Sequence, residues 1–77
     1  MDYTNFINNI RKIRTCEGIT ANELSKKCEL KQMKRIADIE DGRGKPSIDE
    51  VVMICKELGF KIDDMINGEV TITYQWE

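Results

Sequence analysis

The chain has 77 residues, 34% charged and 40% hydrophobic, which suits one small soluble domain and excludes a disordered segment. No apolar run approaches membrane-spanning length and the opening MDYTNFINN lacks a basic-then-apolar signal, so a cytoplasmic location is expected. The net charge of −2 hides an asymmetry: ten basic residues face seven acidic ones through Lys45, and two face seven from Pro46 onward.

Apolar spacing predicts a first helix over residues 3–16, with Phe6, Ile10 and Ile13 at i, i+4 and i+7 as its buried stripe. Gly18 ends it, and Ile19 staples the start of the next helix. Thr20 with Glu23 three residues on is a capping box, in which the hydroxyl takes the Glu23 N–H and the carboxylate reaches back. Leu24 and Cys28 give that second helix an apolar stripe. A third helical run follows, where Ile36, Ile39 and Glu40 share a face and Gly42 supplies a left-handed stop.

Pro46 precedes a second capping box, Ser47-x-x-Glu50, which opens a fourth helix. Ile48, Val51, Val52, Ile54, Cys55 and Leu58 make that helix apolar over much of its circumference, so it is expected to form the centre of the core, with Gly59 as its stop. A short fifth helix, residues 62–66, turns Ile62, Met65 and Ile66 inward over Phe60 and stops at Asn67-Gly68. Beyond it Val70, Ile72, Tyr74 and Trp76 alternate with Thr71, Thr73 and Gln75, the period of a strand. With no other strand in the chain to pair with, the same strand of a second copy is the expected partner, which makes these four residues a dimerisation arm.

There are three cysteines and no histidine. Cys16, Cys28 and Cys55 form no CxxC or Cys/His group, so neither a disulfide framework nor a metal site is expected; each falls where a small apolar residue fits, and buried thiols are the reading. No nucleophile–base pair exists, and Asp49/Glu50 and Asp63/Asp64 read as first-turn helix acids. No enzyme activity, cofactor or metal is expected.

Taken together, Ile10, Ile13, Arg14, Thr20, Leu24, Ser25, Ile36, Ile39, Glu40, Gly42, Pro46, Ser47, Leu58 and Gly59 resemble the spaced pattern of the lambda-repressor-like (Cro/C1 or XRE type) helix-turn-helix family, over about residues 5 to 68. The resemblance implies an all-α, five-helix DNA-binding domain (residues 1–68), here followed by a C-terminal β arm (residues 69–77). It implies a homodimeric, sequence-specific transcriptional regulator, repressor or autoregulator, that lays its third helix in the major groove of double-stranded DNA. An Arg14–Glu40 ion pair would fix the first helix against the third. Base edges would be read by Gln32, Met33 and Lys34 with Arg35 nearby, while Thr20, Lys31, Arg43 and Lys45 would meet phosphates. The basic first part carrying these residues suits one-sided attraction to phosphate.

The chain departs from the family pattern in the turn. Glu29 stands where glycine is usual, and the count from Leu30 to Ile36 is one longer, so either Lys31 or Gln32 caps the third helix. Ala21 replaces a common Gln, and Asp38 lies on the same face as Lys34. Ala21, Asp38 and the acidic half from Pro46 onward favour a second reading, a protein-interaction module on the same fold (antitoxin-like or a phage-encoded inhibitor) whose partner is a toxin or another regulator.

Overall fold

In the computed structural model, which describes residues 3–71, the chain folds as five helices. They are α1 (Thr4–Glu17), α2 (Ala21–Lys27), α3 (Arg35–Glu40), α4 (Ile48–Leu58) and α5 (Ile62–Asn67). No strand occurs among the described residues, and no helix is long and apolar enough to cross a membrane.

The helix limits follow from local chemistry. Both capping boxes close: Thr20 Oγ1 accepts the Glu23 N–H at 3.1 Å, and Ser47 Oγ accepts the Glu50 N–H at 3.2 Å. At the other ends, α1, α2 and α3 share one device. A residue with left-handed backbone turns the chain so that its own N–H and the next one bond back to the helix carbonyls. Gly42 does this for α3, with φ of 75° and the Arg43 N–H on the Asp38 carbonyl at 2.9 Å. In α2 the left-handed residue is Glu29, at φ 56°, with the Leu30 N–H on the Ser25 carbonyl at 3.0 Å. A side chain in that conformation crowds the following carbonyl, so Glu29 holds strain that a glycine would not.

The core gathers Phe6, Ile10 and Ile13 of α1, Leu24 and Cys28, Ile36 and Ile39 of α3, four residues of α4, Met65 and Val70. Here α1, not α4, is the central element, since it packs on both α5 and α3. Only Val51, Ile54, Cys55 and Leu58 of α4 are buried, an arc that fills the contact the neighbours offer. Ile48, expected inside, is 63% exposed, and Val52 is exposed with it. Ile62 is exposed as well, because the six-residue α5 turns Met65 into the core, with Ile66 partly buried beside it. Cys16 is exposed rather than buried, since it lies one turn past Ile13, where the packed stripe of α1 has ended.

A polar row on α1, Asn5, Asn9 and Lys12 at i, i+4 and i+7, holds the chain end of α5. Asn9 is 1% exposed and makes three bonds. Its amide donates to the carbonyls of Met65 (2.9 Å) and Gly68 (2.7 Å), and its Oδ1 accepts the Val70 N–H (3.0 Å). Asn5 donates to the Ile66 carbonyl at 3.1 Å. Lys12 Nζ reaches the Val70 carbonyl at 2.7 Å and Glu69 Oε1 at 2.8 Å. Both backbone groups of Val70 are thereby occupied inside one chain and its side chain is in the core, so residues 69–70 belong to the body of the domain. Ile72, Tyr74 and Trp76 of the expected arm lie outside the described residues.

Candidate nucleic-acid interface

The candidate surface is built on α2 and α3, which pack on each other, and on the stretch 28–34 between them. A six-residue helix has no stability of its own, so α3 depends on what grips its ends. Its N-cap, Lys34, offers no side-chain bond. The bond comes instead from α2: Ser25 Oγ, fully buried, accepts the Ile36 N–H at 3.1 Å and donates to the Ala21 carbonyl at 3.1 Å. One hydroxyl thus caps α3 from the neighbouring helix and sets the spacing of the pair.

The C-terminal end of α3 is tied to α1. The Glu40 carboxylate, with a side chain 5% accessible, accepts from Arg14 Nε (3.0 Å) and Nη2 (2.9 Å). Arg11, not singled out by the sequence, adds Nε to the same carboxylate at 3.3 Å and Nη2 to the Glu40 carbonyl at 3.0 Å. Arg14 Nη1 also donates to the Ile19 carbonyl at 3.1 Å, and its guanidinium is raised above its usual pKa chiefly by the bond to Glu40.

Between these grips the start of α3 differs from expectation. The helix begins at Arg35 and its N-cap is Lys34, not Lys31 or Gln32. The reason is local: Lys31, Gln32, Met33 and Lys34 are all exposed, Ile36 is the first core anchor, and the Arg35 N–H closes a tight turn on the Gln32 carbonyl at 3.1 Å. Lys31, Gln32, Met33 and Lys34 are therefore displayed by the turn that leads into α3 rather than by its first turn.

Arg35 is engaged within the protein. Its Nε and Nη2 bond the Glu50 carboxylate at 2.5 and 2.7 Å, and Nη2 also donates to the Lys45 carbonyl at 3.0 Å. Glu50 closes the Ser47 capping box at the same time, accepting the Ser47 N–H at 2.9 Å. Its carboxyl is lowered to about 2, first by the Arg35 bond and further by Ser47, against the opposing cost of burial. Arg35 is raised above its usual pKa by the same contact.

Thr20, Arg43 and Lys45 are exposed, although the Thr20 hydroxyl is committed to its cap. Beside the turn a groove of about 560 Å³ is lined by Leu30, Gln32, Arg35, Asp49, Glu50 and Met53, among others. Its acids make this flank mixed in charge, whereas Lys31 and Lys34 stand with Lys26 and Lys27 on exposed positions nearby in the chain. Of the three grips on α3, only the Arg14–Glu40 pair is named from the sequence; the parts played by Ser25, Arg11 and the Arg35–Glu50 pair are not.

Comparison with known protein families, with curated proteins and with solved structures gives no match to this chain.

Proposed function

We propose that this chain binds double-stranded DNA in a sequence-specific way and regulates transcription as a repressor or autoregulator. In this reading α2, the stretch 28–34 and α3 act as a helix-turn-helix unit. The observation that carries it is the display of Lys31, Gln32, Met33 and Lys34 on an exposed turn between α2, which Ser25 bonds to α3, and α3, which Glu40 ties to α1. Gln suits adenine, Lys suits guanine N7 and O6, and the Met33 side chain suits a thymine methyl. Lys31, Arg43 and Lys45 serve phosphates, and Arg35 serves as a strut that braces the unit against α4 rather than as a base reader.

A second reading is favoured by one feature: Glu29 and Asp49 line the flank of the turn and would meet phosphate with like charge, Glu50 being already paired with Arg35. On that reading the same surface binds a protein, a toxin or another regulator, and DNA affinity is weak.

Selection from random-sequence duplexes at low and moderate salt, beside a Gln32→Ala/Lys34→Ala variant, separates the two. Enrichment of one sequence, steep loss of binding with salt and loss of selectivity in the variant support the regulator. No enrichment, with parent and variant alike, rejects it and directs the search to protein partners.

A further inference from the structure

The surface of α4 opposite its buried arc carries Asp49, Val52, Met53 and Lys56, at i, i+3, i+4 and i+7, so that they share one face. All four are exposed, and the two apolar ones stand at the centre with an acid at one end and a base at the other. Ile48 and Ile62, both exposed, flank the Val52 side. This order is self-complementary. If a second α4 is laid antiparallel across a two-fold axis passing between Val52 and Met53, Val52 of each copy meets Met53 of the other. The same operation brings Asp49 of each copy opposite Lys56 of the other, twice. A parallel pairing would instead set like charges together.

We propose that this α4 face docks a second copy of the same chain, in an antiparallel two-fold contact with Val52 and Met53 at its centre and two Asp49–Lys56 pairs at its ends. The argument for this occupant is the charge pattern, since the acid and base sit equally far from the axis with opposite signs. An 11-residue helix is about 16 Å long, so the contact is small and the dimer weak. The contact borders the candidate DNA surface, since Asp49 and Met53 also line the groove beside the turn. The proposal assigns dimerisation to α4 rather than to the C-terminal residues, and Val70 supports that assignment because its backbone groups are already bonded within one chain.

Sedimentation equilibrium of the full chain over a wide concentration range tests it. Asp49→Lys and Lys56→Asp should each raise Kd about tenfold or more, because each sets two like-charge pairs across the axis. Mixed together, the two variants should associate again, since the heterodimer regains two opposite-charge pairs. Circular dichroism checks that both variants remain folded, and Val52→Glu carries the test if either does not. A parent that is monomeric at about 1 mM, or variants that are folded but fail to associate on mixing, would overturn the proposal. So would a dimer that survives Val52→Glu and is lost on Ile72→Ser/Tyr74→Ser, which would return dimerisation to the C-terminal residues.

Discussion

The pairing of Arg35 with Glu50 yields the most exacting prediction. Glu50→Gln keeps the size of the side chain and its acceptor for the Ser47 N–H, yet removes the charge that Arg35 grips. The folded carboxyl titrates at about 2 against an ordinary 4.5. At 1.36 kcal/mol per unit that difference is at most about 3 kcal/mol. The two side chains are 24% and 18% accessible, so solvent screening reduces the expected contribution to about 1.5 kcal/mol. Because the folded pKa is depressed, this stability is fully present above pH 4.5 and is lost as pH falls toward 2. Urea unfolding, with a slope of about 1 kcal/mol/M for a domain this small, should show the variant's midpoint about 1.5 M below the parent's at pH 7. Repeated down to pH 2.5, the gap should lose most of its size, because the unfolded chain takes up a proton at Glu50 that the folded chain still resists. A gap that persists unchanged at low pH would mean that the loss at pH 7 comes from packing, and the charge account would be refuted.

Three further outcomes follow from the same geometry. Glu29→Gly should stabilise the domain by about 0.5–1 kcal/mol, since glycine relieves the left-handed strain at some cost in unfolded-state entropy; a lower thermal midpoint would contradict this. Asn9→Leu should cost about 2–4 kcal/mol by orphaning the Met65 and Gly68 carbonyls and the Val70 N–H, and hydrogen exchange should accelerate first in α5; uniform exchange across the chain would count against the clamp. Native-state alkylation should label Cys16 alone, with Cys28 and Cys55 labelled only on unfolding. Both buried thiols are raised by burial, Cys28 to about 11 with a further push from Glu57, and rapid native labelling of either would place it outside the core.

What the sequence made legible was whatever is encoded within one helical turn. Thr20/Glu23 and Ser47/Glu50 announce helix starts because both partners of each cap lie three residues apart, and Phe6, Ile10 and Ile13 announce a buried stripe by their spacing. The errors lie where the partner is distant in the chain. Val52 and Ile48 looked like core because hydrophobicity alone does not say which arc of α4 the neighbours can cover. Asn9 carried no sign in the sequence because its partners lie some sixty residues away, the carbonyls of Met65 and Gly68 and the N–H of Val70. The start of α3 was misplaced for a related reason. Lys31, Gln32 and Lys34 are tolerable helix residues, and nothing local reveals that the first usable cap is a serine on the preceding helix.

The candidate surface therefore has an unusual source of rigidity. α3 is six residues long, and its position is set by three polar grips contributed from other elements: Ser25 at its N-terminus, Arg11 and Arg14 on Glu40 at its end, and Glu50 on Arg35 at its flank. Each grip places a buried or half-buried polar group against fixed partners, so removing one member costs more than breaking an exposed pair of the same kind. Hydrophobic contacts from Ile36 and Ile39 would alone permit the helix to slide or rotate on a greasy seat. The polar grips have distance and direction, and they remove that freedom. The turn before α3 consequently leads into a helix whose seat is fixed, and an anchored seat is what selective contact with base edges, or with a protein partner, requires.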